Sequence, residues 1–201
     1  MEGMRMLDKL VPYYSIIMKR PANQPVPSWS LPGGLRVSPY RDGSDHDWAE
    51  IETAVGEFNG VDEARRYFGA HYLAYPEKLR RRLLFVRNTE GVYLATITAW
   101  WNDTGERRDA SIHWLAVRPT HHRMGLGKAL VAACLNILYR VEGDQDIWLH
   151  TQTSSHLAIR LYLQAGFQIV PDDTFGGYAN EYEQAIPILK ALIPLLKADS
   201  V

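Results

Sequence analysis

Residues 113–130 carry the pattern best suited to gripping an anion. An alternating apolar run ends at Val117, a polar loop follows Pro119, and Gly125 and Gly127 open what reads as an amphipathic helix. A helix N-terminus presents unsatisfied N–H groups and a partial positive charge, and glycines let a ligand approach the main chain. The chemistry this suits is binding of a phosphate or pyrophosphate. Two common phosphate loops do not fit. A P-loop needs Ser or Thr after its lysine, and Lys128 is followed by Ala129. The dinucleotide fingerprint needs a third small residue where Leu130 stands.

The elements around this stretch follow from hydrophobic period. Residues 35–41 alternate as a short strand. Asp45 and Asp47 precede Trp48, Ile51, Glu52 and Val55 at helical spacing, and residues 56–60 break that helix from a second one over 61–74. Residues 83–87 and 92–101 flank a turn and predict a hairpin, and 110–117 predicts another strand. Residues 125–141 place Leu126, Leu130, Cys134, Leu138 and Val141 on one helical stripe. Then come a strand over 147–151, a helix over 154–165 closed by Gly166, and a strand over 167–170. A last strand over 181–185 and a helix over 187–197, with Pro187 at its start, complete the pattern. This order is that of a mixed α/β (α+β) sheet, antiparallel first and with helical crossovers later. Residues 1–34 are punctuated by proline and read as an arm packed on a domain of residues 35–185, with 186–201 as a C-terminal helix.

Composition narrows the functional classes. The chain has 201 residues, with 22 Lys plus Arg against 23 Asp plus Glu, so no basic field draws it to nucleic acid or anionic lipid. Its one cysteine, Cys134, excludes an internal disulfide and a multi-cysteine metal cluster, and no metal site is expected. No apolar stretch is long enough to span a membrane. Glu2 and Asp8 stand where a signal peptide would be basic, so a cytoplasmic protein is expected.

The run Leu115-Ala116-Val117-Arg118-Pro119, followed by Gly125-Leu126-Gly127-Lys128-Ala129-Leu130, resembles the acetyl-CoA motif of the GNAT superfamily of N-acetyltransferases. Downstream, Leu161-Tyr162-Leu163-Gln164-Ala165-Gly166-Phe167 resembles the family's second signature, a helix ending Leu-Tyr-x-x-x-Gly-Phe. The resemblance covers about residues 35–185. It implies a mixed, mostly antiparallel central sheet flanked by helices, with two splayed strands forming the CoA cleft. Main-chain groups of Leu115, Ala116 and Val117 would meet the pantetheine arm. The loop His122, Arg123, Met124, Gly125, Leu126, Gly127 and Lys128 would cradle the pyrophosphate. Tyr162 would protonate the departing thiolate, although its place on an apolar stripe equally suits a core aromatic. The chain departs from the pattern twice. His122 stands where Arg or Gln is usual, as a phosphate contact or a solvated loop residue. Ser155 stands where an Asn often opens the later helix.

The implied activity is acyl transfer from acetyl-CoA to a primary amine by direct attack, with a non-catalytic acyl-CoA sensor or partner domain as the alternative. An ammonium must lose its proton before it attacks, so a base is needed. His113 is the leading candidate, because strict alternation puts it on the face of Ser111, Leu115 and Val117. A histidine satisfied within the sheet is the competing reading. His150, in a polar run at a strand end, is the second candidate. Glu57 and Phe58, in the break between the first helices, and Trp100 are candidates for the acceptor wall; a solvated acid and ordinary packing are the alternatives. The Arg80-Arg81-Arg82 run reads as a solvated face. The acceptor is a small-molecule or peptide amine, and the protein a monomer or homodimer.

Overall fold

The computed structural model describes residue 8 and residues 10–197. The rest of the expected N-terminal arm and residues 198–201 lie outside the described residues. In chain order the elements are β1 (Ser15–Arg20), β2 (Arg36–Pro39), α1 (Asp45–Val55), α2 (Val61–His71), α3 (Pro76–Arg82), β3 (Leu83–Arg87), β4 (Tyr93–Asp103), β5 (Arg108–Val117), α4 (Leu126–Glu142), β6 (Ile147–Gln152), α5 (His156–Gln164), β7 (Gln168–Ile169) and α6 (Tyr182–Leu192). They build one seven-stranded sheet in the order β2-β3-β4-β5-β6-β1-β7. Every neighbouring pair is antiparallel except β5 and β6. The mixed, mostly antiparallel sheet flanked by helices is therefore present as expected.

Two cores follow from the two faces of the sheet. Leu130, Cys134, Leu135 and Leu138 of α4 join Ile97, Ile112, Ile159 and Leu189 on one face. Trp48, Phe68 and Tyr72 of the first two helices meet Phe85, Trp100 and Ala116 on the other. Burying such side chains is worth roughly 2 kcal/mol each, which holds both helical layers to the sheet.

Three features differ from the expectations. Within the segment read as an arm, β1 is a strand of the sheet, paired with β6 from Ser15↔Gln152 to Arg20↔Ile147 and with β7 beyond. The expected strand over 181–185 is instead the start of α6. Glu181 is tied to the sheet at Ser15, through Glu181 N–H to the Ser15 carbonyl (2.8 Å) and Ser15 N–H to Glu181 Oε2 (2.7 Å). The chain then turns helical, because β1 already occupies the edge beside β6. Pro187 lies inside α6 rather than at its start. Burial of Ala185 and Leu189 holds the helix across the missing N–H.

The third difference lies at the end of α3, where Arg80 and Arg81 are exposed as a solvated face would have them but Arg82 is not. Arg82 is buried, with Nη2 2.5 Å from Glu142 Oε1, and Arg108 reaches the same oxygen at 3.1 Å. Burial alone would raise the Glu142 pKa, but hydrogen bonds from Arg108 and Arg82 overcome it and hold the carboxyl below the usual range. A carboxyl depressed in the fold stabilises at neutral pH, and that contribution fades as pH falls below the ordinary carboxylate value. Glu142→Gln should therefore cost roughly 3 kcal/mol at pH 7 in urea unfolding, and the gap from wild type should narrow progressively as pH falls below the ordinary carboxylate pKa of roughly 4.3. A gap independent of pH would contradict the ion pair's role.

Candidate active site

The site begins where the sheet fails to close. Strands β5 and β6 pair only at Ala110↔Ile147 and Ser111↔Trp148. Past those residues the strands part, and the β6-facing main-chain groups at the end of β5 have no ladder to join. The other edge of β5 shows why. Thr98 opposes His113 and Thr96 opposes Ala116, so Trp114 and Leu115 together face Ile97. This is a β-bulge, and it bends a strand away from its neighbour. Trp114 takes φ +52°, a region that costs a non-glycine residue about 1 kcal/mol. Its ring is clamped by Trp48, Phe58 and Tyr67, with centroids at 5.6, 5.4 and 5.1 Å. Aromatic packing thus offsets the strain.

The bulge also corrects the facing of β5. His113 and Ala116 point to the core beside α1 and α2, whereas Ile112 and Val117 point to the core beside α4. His113 therefore does not share a face with Val117. Ala116 is fully buried among the aromatics and does not line the cleft.

Beyond β5 the loop is pinned at its start. Arg118 donates to the Leu94 and Tyr93 carbonyls from its main chain and Nε, and to Glu50 Oε2 from Nη2 at 2.8 Å. His122 Nε2 donates to the Val117 carbonyl at 2.9 Å, which ties the loop back to the end of β5. Arg123 and Gly125 take φ +63° and +79°, and Gly125 caps α4 without any side-chain cap bond. The first-turn amides of α4 thus lack the side-chain acceptor that usually caps them. At Gly127 a Cβ would come 3.1 Å from Leu161 Cδ2, so only glycine lets α4 approach α5 this closely without displacing Leu161.

Two cavities flank the gap. One, of about 490 Å³, is walled by Leu115, Val117, His122, Arg123, the Gly125–Lys128 turn and the Leu161 side of α5. Its mouth of helix N-terminus, Arg123 and Lys128 suits a polyphosphate, and its wall suits an apolar arm. Met124 is exposed and does not line it. The second cavity, of about 400 Å³, is walled by Glu52, Glu57, His113, His150, Tyr162 and Tyr178, among others. Leu115 and Ala158 belong to both. Ser155, expected to meet the cofactor with the loop residues, lines the second cavity and not the first. Trp100 stacks on Trp101 at 4.2 Å inside the second core, and Phe58 packs behind Trp114; neither lines the cavity.

The second cavity gathers the titratable groups. Nε2 of His113 lies 3.2 Å from Asn102 Nδ2 and 3.0 Å from Ser111 Oγ, and its Nδ1 lies 3.1 Å from Tyr72 Oη. An amide donor at Nε2 places the ring proton on Nδ1, donating to Tyr72. Burial, then the His150 and His71 charges, push its pKa down to about 4. His150 lies 2.6 Å from Ser15 Oγ through Nε2, stacks on Tyr178 at 4.4 Å, and has a pKa lowered by burial. Burial, with smaller contributions from Cys134, Glu52 and Glu57, pushes the Tyr162 hydroxyl above the usual phenol range. Cys134 sits in the core with its thiol pKa raised by burial, so it is no nucleophile. Among the described residues, no three His, Cys, Asp or Glu side chains are grouped to hold a metal ion.

Sequence reasoning missed Glu52, Ser15, Tyr67 and Tyr178. The signal for Glu52 was present, since an acid on the apolar stripe of Trp48, Ile51 and Val55 is bound for the interior. Nothing local could place Ser15 beside His150, because that contact depends on β1 entering the sheet.

Residues 42–167 match the model of the acetyltransferase (GNAT) family. The chain belongs to that family. Two mycothiol acetyltransferases are similar to it. That of Salinispora tropica is 29% identical over 167 residues, covering 75% of this chain and 50% of the relative. That of Salinispora arenicola is 30% identical over 161 residues, with the same coverage. The chain thus spans about half the length of these curated relatives. Among solved structures, a GCN5-related N-acetyltransferase from Sphaerobacter thermophilus superposes with a TM-score of 0.59 at 22% identity, over 78% of this chain and 48% of that one. A GNAT acetyltransferase from Colwellia psychrerythraea gives 0.59 at 13%, over 80% and 55%. These likenesses establish the fold. No helix among the described residues is long and apolar enough to cross a membrane.

The His113 network makes a direct prediction. A histidine whose folded pKa lies below its unfolded value of roughly 6.5 stabilises the fold above that value, and the contribution is lost as pH falls towards 4. In an NMR titration the His113 ring should stay neutral through pH 5 and titrate near 4. A midpoint near the free value would contradict the burial and bonding described.

Proposed function

We propose that the protein transfers an acetyl group from acetyl-CoA to a primary amine on a small molecule. The observation that carries this reading is the junction of the two cavities at Leu115 and Ala158, with Tyr162 in the wall beside it. One cavity fits a polyphosphate at the mouth and an apolar arm inside. The other is a compact pocket of hydroxyls, imidazoles and carboxyls. A thioester held in the first would present its carbonyl carbon at the junction.

The chemistry then balances without an enzyme-bound intermediate. The neutral amine nitrogen attacks the carbonyl carbon, and the carbon–sulfur bond breaks with its electron pair going to sulfur. Tyr162, kept protonated by its raised pKa, supplies a proton to the departing thiolate. The proton leaving nitrogen passes to the acceptor wall, where His150, its pKa lowered by burial, is the imidazole placed to receive it; both nitrogens of His113 are already bonded, so that ring positions rather than accepts. Hydrogen bonds to both ring nitrogens of His113 hold that ring in place. Two relatives named mycothiol acetyltransferases support a small-molecule acceptor over a protein.

The test is release of CoA thiol from acetyl-CoA in the presence of an amine panel. Wild type should release thiol only when both enzyme and amine are present. Tyr162→Phe should lower kcat roughly a hundredfold while leaving KM for acetyl-CoA nearly unchanged. CoA binding without turnover on any amine would overturn the enzymatic reading in favour of a sensor.

A further inference from the structure

The wall of the second cavity is rich in carboxyl and imidazole groups. Glu52 and Glu57 both line it, and among the described lining residues there is no lysine or arginine. Glu52 is the unusual one. It is 1% exposed, and its Oε1 has no hydrogen-bond partner. A buried carboxyl oxygen left unbonded costs about 1–3 kcal/mol or more, so a group absent from the described residues must be what the position serves. The rest of the α1 stripe, Trp48, Ile51 and Val55, shows that an apolar residue would pack at this position.

The surroundings say which group. Aromatic rings with hydroxyls, Tyr67 and Tyr178, and the Trp114 indole stand in the same wall. Ring faces attract a cation, and phenol oxygens can accept a hydrogen bond from it. Burial and the Glu57 charge raise the Glu52 pKa well above the usual range, and a neighbouring cation would relieve both causes. The reaction adds a further constraint. The attacking nitrogen must be neutral, so a carboxylate committed to a lasting ion pair serves a second centre of the acceptor.

Resting on the amine-transfer reading above, we propose that the acceptor carries a second cationic centre and no acidic group, and that Glu52 holds that second centre. An α-amino acid or a phosphorylated amine would set its own anion beside the Glu52 carboxyl, with no lysine or arginine among the described lining residues to receive it.

The test uses straight-chain α,ω-diamines, the matching monoamines and the matching ω-amino acids, titrated calorimetrically into the full-length protein saturated with CoA. The best diamine should bind roughly tenfold or more tighter than its matching monoamine, and the ω-amino acids should bind weakest. In Glu52→Gln the diamine should lose about that factor and approach the monoamine, with the melting temperature reporting that the fold is retained. Equal affinities across a matched set in wild type would overturn the proposal, whatever the variant does. So would undiminished diamine binding by Glu52→Gln. Thiol release from acetyl-CoA with the same compounds separates this from the reading beneath it. Selective diamine binding without release would keep the charge recognition and refute transfer. Release as fast with ω-amino acids as with diamines would keep transfer and refute the recognition.

Discussion

The feature on which the rest depends is the early end of the β5–β6 ladder. A sheet of seven strands normally satisfies every interior main-chain group, and here one parallel pair stops after Ser111 and Trp148. Peptide groups left unpaired inside a protein are costly, so such a gap persists only if the surrounding structure enforces it. The bulge at Trp114–Leu115 enforces it from the β4 side, and the aromatic clamp of Trp48, Phe58 and Tyr67 holds the bulge in its strained conformation. On the other side, β6 is held away by its six-residue pairing with β1. The cleft is thus the place where two well-packed halves of the sheet do not meet.

The two halves supply different chemistry to the two ends of that cleft. Strand β5 runs into a loop that delivers the uncapped start of α4, a donor surface built from main chain rather than side chains. Its geometry is secured by Gly125 in the left-handed region and by the close passage of Gly127 over Leu161. Strand β6 and β1 deliver His150 and Ser15, while α1 delivers Glu52 from across the sheet. Charge therefore changes sign along the cleft: donors and cations at the α4 end, carboxyls at the other. The proposed pairing of a diphosphate ester with a cationic acceptor rests on that polarity.

Much of this was legible in the chain before any coordinates. The α4 stripe, the paired glycines, the Leu-Tyr-x-x-x-Gly-Phe helix and the hairpin of β3 and β4 depend on local period and turn chemistry, which one strand or helix carries by itself. What was not legible depends on pairing between distant segments. The face of His113 was misassigned because a bulge is a property of two strands in register, and nothing in residues 110–117 alone reveals it. The entry of residues 15–20 into the sheet beside β6, and the helical rather than extended course from residue 182, are settled by packing between distant segments. Arg82 was read as solvated because its partners, Glu142 and the Trp101 ring, lie on α4 and β4. Trp100, expected at the acceptor wall, went to the core because Trp101, Tyr72 and Tyr75 surround it.

The central claim is that main-chain donors at the start of α4, together with the parted end of β5, receive the CoA moiety. Backbone amide mapping by two-dimensional NMR during titration with CoA tests it most directly. The account predicts the largest shifts at Leu115, Gly125, Leu126, Gly127 and Lys128, with the amides of the Trp48–Phe68–Phe85 core unmoved. Absence of shifts in the 125–128 turn at saturating CoA, or shifts concentrated on another face, would contradict it.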